Sequence, residues 1–208
     1  MTPRHTLPEP LPAEPLSLVA AWLAEAQARG ETPNPNAMVL ATCDDQGRPS
    51  ARVVLCKDIS PVPGVVRFVT NYLSRKGREM AANPRAALVF HWDHLHRQAR
   101  IEGAVRQADA ADSDRYFASR ARGSQLGAHA SRQSEPIASR AALRAQLDEV
   151  RDRYGDDGEV PRPAHWGIME LWADAVELWV EGHARLHDRA RWTRAAANAE
   201  WAVTRLQP

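Results

Sequence analysis

The segment TNYLSRKG brings together groups that bind phosphate. Ser74 is of a residue type that caps the N-terminus of a helix. Arg75, Lys76 and Gly77 follow it directly. The free backbone N–H groups and the positive end of the helix dipole attract anions at such a position. Because two cations stand where acidic residues are usually preferred, the segment predicts a phosphate site. The alternative is a solvated helix start with an unfavourable charge.

A second set of polar groups lies further along the chain. Tyr116 and Arg120 are four residues apart on a predicted helix and therefore share one face, and Ser124 follows just past the helix end. Two hydroxyls and a guanidinium suit a second phosphate. The same arrangement is common on helix surfaces, so these residues alone leave both interpretations open.

The segment ARLHDR carries three potential cations, Arg185, His187 and Arg189, at alternate positions. If the segment is extended, all three side chains emerge from one face of a strand. Like charges in a row repel each other, so either an anionic ligand or water must lie against them. The interpretation that competes with a ligand site is a solvated strand face with Asp188 as the local counter-charge.

Arg52 and Lys57 flank the apolar strand segment VVLC. Being five residues apart, they lie on opposite faces of a regular strand. A shared ligand therefore requires a bulge, or a ligand that lies across the strand end; ordinary strand-end charges are the alternative. Lysine occurs only at Lys57 and Lys76, so both positions are candidates for a compact point charge.

The composition limits the classes of function. The chain has 27 Lys and Arg against 26 Asp and Glu, so a net charge of +1 gives no general case for binding nucleic acid or an anionic membrane. No apolar run approaches the length of a signal-peptide core or a membrane span. We therefore expect a soluble, cytoplasmic protein without nucleic-acid or membrane partners.

Metal and dinucleotide sites are not indicated. Cys43 and Cys56 are too few for a disulfide framework, and we expect buried, reduced thiols. His91, His94 and His96 match no metal-ligand spacing. The sequence contains no GxGxxG, Walker-type, HExxH or GxSxG motif, so a nucleotide-like cofactor would need another kind of site.

The elements that must position these residues form one predicted domain over residues 1–208, with an extended Pro-rich arm at 1–15. The predicted helices are LSLVAAWLAEAQARG ending at Gly30, SRKGREMAANP, DAADSDRYFASR, and Ser139 to Tyr154, whereas ARGSQLGAHASRQSEP is predicted as a polar loop. The predicted strands are AMVLATC, ARVVLCKDI, GVVRFVT, RAALVFHW, RQARIEGAVRQ, GIMELWA, AVELWVEG, ARLHDRARWT and EWAVTRL.

Short strands that are mostly joined by hairpins predict a mainly β (α+β) chain with inserted helices. Such a set of short strands closes most simply into a small barrel, because closure removes the exposed sheet edges. We found no internal repeat and no domain linker.

Four separated stretches resemble the pyridoxamine 5'-phosphate oxidase family: NAMVLATCDDQGRPSARVVLCK, FVTNYLSRKGREMAANPRAALVF, RYFASRARGSQLGAHASRQS and ELWVEGHARLHDR. They agree with the family in order and internal spacing, and the resemblance runs from Asn36 to Pro208. It implies a split β-barrel homodimer with FMN at the subunit interface. The implied reaction oxidises pyridoxamine or pyridoxine 5'-phosphate to pyridoxal 5'-phosphate with O2, releasing H2O2.

The resemblance also assigns roles to individual residues. The implied FMN contacts are Arg52, Lys57, Thr70, Arg75, Lys76, Gln98, Gln133, Ser134, Trp179 and Arg189. The implied substrate contacts are Lys57, Tyr116, Arg120, Ser124, Arg185 and His187, of which Arg185 and His187 lie near the substrate ring and are the candidates for catalysis. No metal is implied.

Three residues depart from the family pattern: Val69, Ile168 and Val180. They bear on the substrate more than on the cofactor, so a flavin oxidase of phenazine biosynthesis with the same fold remains an alternative. A second alternative is a split-barrel protein that binds FMN without turnover. The segments SRARGS and RLHDR favour the oxidase, because a flavin carrier has no need of a second phosphate site.

Overall fold

The computed structural model describes residues 6–208, so the first five residues of the predicted arm lie outside the described part. The described helices are α1 (Leu16–Arg29), α2 (Arg75–Ala82), α3 (Ala110–Ala118), α4 (Arg122–Ala130) and α5 (Arg140–Tyr154). The described strands are β1 (Ala37–Cys43), β2 (Pro49–Ser60), β3 (Val65–Asn71), β4 (Arg85–Trp92), β5 (Arg97–Gln107), β6 (Trp166–Val180), β7 (Asp188–Thr193) and β8 (Ala202–Leu206).

The strands form one antiparallel sheet that closes on itself. Their order is β3-β2-β1-β4-β5-β6-β7-β8, and β3 also pairs with β6, which closes the first six strands into a barrel. Strands β7 and β8 continue the sheet from β6. The predicted mainly β barrel with inserted helices is confirmed.

Strand β6 was predicted as two strands, which is wrong. Asp174 separates the two predicted strands, but it lies within one strand of 15 residues, and its carboxylate forms an ion pair with Arg85. The first half of β6 pairs with β3, the second half pairs with β7, and β5 pairs along both halves. The sheet shifts register beside Gly103, where an added Cβ would stand 1.9 Å from the carbonyl oxygen of Trp172.

Local capping explains where three of the helices begin or end. Gly30 ends α1 in the left-handed conformation at φ 63°. The side chain of Ser74 accepts a hydrogen bond from the backbone of Gly77 and starts α2. Ser139 caps α5 in the same way through Ala142. All three boundaries confirm the predictions from sequence.

Helix α4 was missed, because its segment was predicted as a polar loop. It is helical because Leu126 and Ala130 pack against Phe117 and Trp166. This small cluster is separate from the main hydrophobic core, where the largest buried side chains include Leu40, Phe68, Leu88, Phe90, Ile101 and Trp192. Tertiary packing thus overrides a polar, Gly-containing sequence. No helix within residues 6–208 is long and apolar enough to cross a bilayer.

Candidate functional site

A cavity of about 540 Å³ lies between strands β2 and β3 and helices α3 and α4. Its walls include apolar residues of both strands, among them Val53, Leu55 and Val69. Seven of the residues assigned from sequence line it: Lys57, Thr70, Lys76, Tyr116, Arg120, Ser124 and Gln133. The fold therefore brings the two predicted phosphate-binding segments to one cavity.

A bulge places Lys57 at this cavity. The pairing of β2 with β3 shifts register between Cys56 and Asp58, so Lys57 has no partner directly opposite. Its Nζ lies 5.9 Å from the centre of the Tyr116 ring. This irregularity is what the spacing of Arg52 and Lys57 required, but only Lys57 reaches the cavity.

Arg120 lies on a stack of aromatic rings. The Tyr116 and Trp166 rings are 6.2 Å apart at an angle of 14°, and the guanidinium carbon of Arg120 lies 4.4 Å from the Trp166 ring. Within residues 6–208 its Nη1 is buried with no hydrogen-bond acceptor, and burial lowers the pKa of Arg120. A buried donor without an acceptor costs free energy, so an anionic ligand is the natural partner.

The start of α2 supplies further donors to the same cavity. Lys76 Nζ donates to Gln133 Oε1 at 2.7 Å and to Ser74 Oγ at 3.3 Å. Burial, followed by the charge of Arg52, lowers the pKa of Lys76. Gly77 is required here, because an added Cβ would stand 2.1 Å from the carbonyl oxygen of Tyr72.

Arg52 and Arg75 do not line the cavity, because both pair with Glu79. Glu79 Oε1 accepts from Arg75 Nε at 2.8 Å, and Oε2 accepts from Arg52 Nη2 at 3.2 Å. Thr42 and Ser50 also donate to this carboxylate. Burial alone raises the pKa of Glu79, but these hydrogen bonds and the charge of Arg52 overcome it and lower the pKa to about 2. Sequence reasoning missed Glu79, although its position one helical turn after Arg75 is a usable sign.

A second group of assigned residues lies on another part of the sheet. Gln98, Trp179 and Arg189 are directly opposite one another on β5, β6 and β7. The His187 ring lies 4.6 Å from the Trp179 ring. None of these four residues lines the 540 Å³ cavity, and Ser134 lines a separate cavity of about 260 Å³ beside Gln133.

The prediction that Arg185, His187 and Arg189 share one strand face is wrong. Residues His183–Arg185 form a short 3-10 turn in which Ala184 and Arg185 have positive φ, and β7 begins only at Asp188. Gly182 permits the turn, because an added Cβ would stand 1.7 Å from the Leu186 carbonyl oxygen. The turn separates the cations that a regular strand would have aligned.

The turn leaves Arg185 exposed and orients His187. Arg185 has no hydrogen-bond or ion-pair partner in the part of the chain that the structure describes. The backbone N–H of Gly182 donates to His187 Nδ1 at 3.2 Å, so the neutral ring carries its proton on Nε2. Among residues 6–208 no cluster of three or more His, Cys, Asp or Glu is placed to hold a metal ion.

Comparison with known proteins assigns the family. Residues 24–154 match the family model described as pyridoxamine 5'-phosphate oxidase, and residues 166–208 match the pyridoxine 5'-phosphate oxidase C-terminal dimerisation region. The chain belongs to the pyridoxamine 5'-phosphate oxidase family. The resemblance identified from the four sequence stretches is therefore confirmed. The second group of residues on β6 and β7 falls within the matched dimerisation region.

Individual relatives agree with this assignment. The pyridoxine/pyridoxamine 5'-phosphate oxidase of Burkholderia lata is 50% identical over 94% of this chain and 89% of that protein, and the one of Gluconobacter oxydans is 49% identical over 95% and 96%. Among solved structures, PhzG of Burkholderia lata in complex with tetrahydrophenazine-1-carboxylic acid has a TM-score of 0.85 at 32% identity, covering 95% of this chain and 94% of that one.

A more distant structure supports the fold alone. A pyridoxamine 5'-phosphate oxidase-related, FMN binding protein of Nostoc punctiforme has a TM-score of 0.72 at 16% identity, covering 92% of this chain and 96% of that one. Together with PhzG it places the barrel among the split-barrel flavoprotein folds. The predicted fold class is thus confirmed at the level of family as well as of topology.

Proposed function

We propose that the chain is an FMN-dependent oxidase that converts pyridoxamine or pyridoxine 5'-phosphate to pyridoxal 5'-phosphate, with O2 as acceptor and H2O2 as product. The observation that carries this proposal is Arg120, whose buried Nη1 has no acceptor within residues 6–208. Lys57, Tyr116 and Ser124 line the same cavity. Two cations and two hydroxyls around one cavity suit the dianionic phosphate of such a substrate.

The start of α2 fits the terminal phosphate of FMN. Ser74 caps a helix whose first turn holds Lys76, and Gly77 lets the backbone approach closely. Helix N-termini bind phosphate through backbone N–H groups and the helix dipole. Thr70 and Gln133 line the cavity beside Lys76. Arg52 and Arg75 form ion pairs with Glu79 and do not line the cavity, but we include them among the proposed cofactor contacts.

FMN held by these residues would supply the redox chemistry, as hydride acceptor from the substrate carbon and electron donor to O2. The protein's own contribution is to position the two phosphates so that the reacting carbon faces the ring system. Val53, Leu55 and Val69 give the cavity an apolar wall, and a bound ring would cover Val53 and Leu55, which are exposed to solvent. The neutral His187 ring carries its proton at Nε2, and we assign it the role of assisting proton transfer at the substrate.

We propose that the second group of residues serves the site of a partner copy in a homodimer. Gln98, Trp179 and Arg189 form a row on β5 to β7, away from the cavity of their own chain. Strands β6 and β7 lie in the segment that matches a dimerisation region. In this arrangement the row contacts the flavin, and Arg185 and His187 lie near the substrate ring.

A flavin oxidase of phenazine biosynthesis is the second candidate. The likeness to PhzG, a structure solved with a tetrahydrophenazine carboxylic acid, favours it. The apolar strand residues of the cavity suit a flat ring of either kind. The cationic and hydroxyl groups around Arg120 favour the phosphorylated substrate, and they also argue against a carrier that binds FMN without turnover. Both cysteines are free; Cys56 is buried as predicted, whereas Cys43 is only partly buried. Free thiols are in keeping with the cytoplasmic location that we propose.

The test begins with the purified protein. Heat-released cofactor is identified by mass, and turnover is followed by peroxide release with pyridoxine 5'-phosphate and with its dephosphorylated form. Recovery of FAD, or the absence of flavin after reconstitution with FMN, contradicts the cofactor assignment. Turnover of tetrahydrophenazine-1-carboxylic acid without turnover of pyridoxine 5'-phosphate favours the second candidate.

The Arg120→Ala variant tests the substrate site. Loss of a charge-assisted contact costs about 1.5 to 3 kcal/mol, so we expect the KM for the phosphorylated substrate to rise about tenfold to a hundredfold. Bound flavin is expected to remain. Arg106→Ala is the matched control, because Arg106 also stacks on a tryptophan of β6, at 3.9 Å from Trp172, but lies outside the cavity. Equal KM values in the two variants contradict the assignment.

A further inference from the structure

A chain of alternating charges crosses the outer face of the barrel on β5, β6 and β7. Ala99, Leu178 and Ala190 point into the core, so the residues that alternate with them point outward. Glu102 lies 3.5 Å from Arg191 and 3.0 Å from Arg100. Glu177 lies 2.8 Å from Arg100 and 2.6 Å from Arg189. The chain of charges ends at Arg189, a proposed flavin contact.

Glu177 is unusual for a carboxylate on an outward face, because its side chain is only 4% exposed. Its Oε1 accepts from both Nε and Nη2 of Arg189, at 3.2 and 2.6 Å. Its Oε2 accepts from Arg100 Nη2 at 2.8 Å. Two bonds from one guanidinium edge fix the orientation of its plane as well as its position. Arg100 balances the second oxygen, so the buried carboxylate is fully paired.

The remaining contact of Arg189 restrains it from the other side. Its Nη1 donates to the backbone carbonyl of Gln207 at 2.9 Å. Within residues 6–208 Glu177 and Gln207 are its hydrogen-bond acceptors, and together they use three of the five N–H groups that a guanidinium carries. Two N–H groups are left for a ligand, beside the cross-strand neighbour Trp179.

We propose that Glu177 is a positioning residue for FMN. It holds the Arg189 guanidinium in the orientation in which the two remaining N–H groups meet the flavin, while Arg100 keeps the carboxylate paired. The inference rests on the proposed function, because it takes Arg189 as a flavin contact. It adds a residue that touches neither flavin nor substrate but sets how tightly the cofactor is held.

The Glu177→Gln variant tests this role. The amide keeps the shape of the side chain but removes its charge, and it presents an N–H group to one of the two arginines. FMN release is followed by flavin fluorescence as the holoprotein is diluted. We expect the dissociation constant for FMN to rise about tenfold, at the lower end of the effect of a charge-assisted contact.

Glu102→Gln is the matched control. Glu102 pairs with Arg100 and Arg191 on the same outer face, but it does not contact Arg189. Its substitution is expected to change FMN affinity by less than about twofold, because Glu102 does not touch Arg189 and its ion pairs are partly open to solvent. A comparable loss of affinity in both variants would show that the face as a whole, not the hold on Arg189, governs binding, and would overturn the proposal.

A double-mutant cycle with Arg189→Ala separates positioning from support of the fold. We expect Arg189→Ala to weaken FMN binding, and Glu177→Gln to add no further loss in that background. The role of Glu177 is overturned, and the flavin contact of Arg189 is not, if Glu177→Gln weakens FMN binding equally in the native and the Arg189→Ala chains. The same holds if Glu177→Gln does not weaken FMN binding in the native chain. Unchanged FMN affinity in Arg189→Ala overturns the flavin contact itself. If the glutamine variant does not fold, Glu177→Asp replaces it in the same cycle, because it keeps the charge and shortens the reach.

Discussion

Replacing Glu79 by glutamine is expected to destabilise the protein and to remove part of its sensitivity to acid. The Glu79 side chain is 5% exposed and accepts hydrogen bonds from four residues: Thr42, Ser50, Arg52 and Arg75. These contacts lower its pKa from 4.5 to about 2. Because the carboxylate is ionised in the folded state at pH values where the unfolded chain already binds a proton, folding is favoured most above pH 4.5.

The size of the effect follows from the shift in pKa. Lowering the pKa from 4.5 to about 2 corresponds to at most about 3.5 kcal/mol, at about 1.4 kcal/mol per pKa unit. This contribution is present above the unfolded pKa and is lost as the pH falls through the folded pKa. By pH 3 about 2 kcal/mol of it has gone. Glu79→Gln has no titrating carboxylate at this position, so its unfolding free energy lacks this pH-dependent contribution.

Urea unfolding at pH 7, 5, 4 and 3 measures the prediction. The difference in unfolding free energy between the native chain and Glu79→Gln is expected to narrow as the pH falls from 5 to 3. Asp148→Asn is the control, because Asp148 pairs with Arg151 while 64% exposed; its effect is expected to stay within about 0.5 kcal/mol at every pH. A constant difference across this range refutes the reasoning, since it means that the carboxylate binds protons alike in both states.

Two further substitutions test the elements around the proposed site. Gly77→Ala is expected to destabilise the chain by about 1 to 3 kcal/mol and to weaken FMN retention, because the added Cβ would stand 2.1 Å from the Tyr72 carbonyl oxygen at the start of α2. Thermal unfolding measures the loss of stability, and flavin release measures the loss of FMN retention. Gly123→Ala in α4 is its control, since an added Cβ there would meet no heavy atom within 4 Å beyond its own stretch of helix. A fall in stability as large as that of Gly77→Ala contradicts the steric argument. Arg185→Ala is expected to lower turnover in the peroxide assay while the protein stays yellow and its unfolding free energy changes by less than about 0.5 kcal/mol. Unchanged turnover rejects the proposed role of Arg185.

Features that depend on a few adjacent residues were predictable from the sequence. The caps at Ser74 and Ser139 and the stop at Gly30 are local, because each uses the side chain or backbone freedom of one residue within a turn. The barrel followed from short strands joined by hairpins. The family followed from four stretches in order, which sample the chain from β1 to β7.

Features that depend on distant packing were not predictable. Helix α4 forms because Leu126 and Ala130 bury against Phe117 and Trp166, residues from other elements. The turn at His183–Arg185 forms because Gly182 lets the chain fold back on Leu186, whereas alternate charges alone predicted a strand. The spacing of residues in the sequence shows which side chains share a face only where the segment is a regular strand or helix.

Distant contacts also decide which of Arg52 and Lys57 reaches the cavity. Their spacing showed that one ligand needs a bulge, and the register shift beside Cys56 supplies it for Lys57. Nothing local showed that Arg52 turns to Glu79, a residue 27 positions away. The sequence therefore identified the cations of the site, but it did not show that the buried carboxylate of Glu79 restrains Arg52 and not Lys57.

Buried carboxylates recur behind the proposed cofactor contacts. Glu79 holds Arg52 and Arg75 near the start of α2, and Glu177 holds Arg189 on the outer face of β6 and β7. Each carboxylate is paired with two arginines, so each arrangement keeps one unit of positive charge for an anionic or electron-rich ligand. A free arginine has many rotamers, and fixing one beforehand removes part of the entropy cost of binding. The chain has 25 arginines and two lysines, and Arg189 supplies a physical reason for that choice: Glu177 orients its planar guanidinium from one edge, while two of its five N–H groups stay available to a ligand. Arg52 is held more completely, because its two terminal nitrogens also donate to Leu40, Thr42 and Ser50.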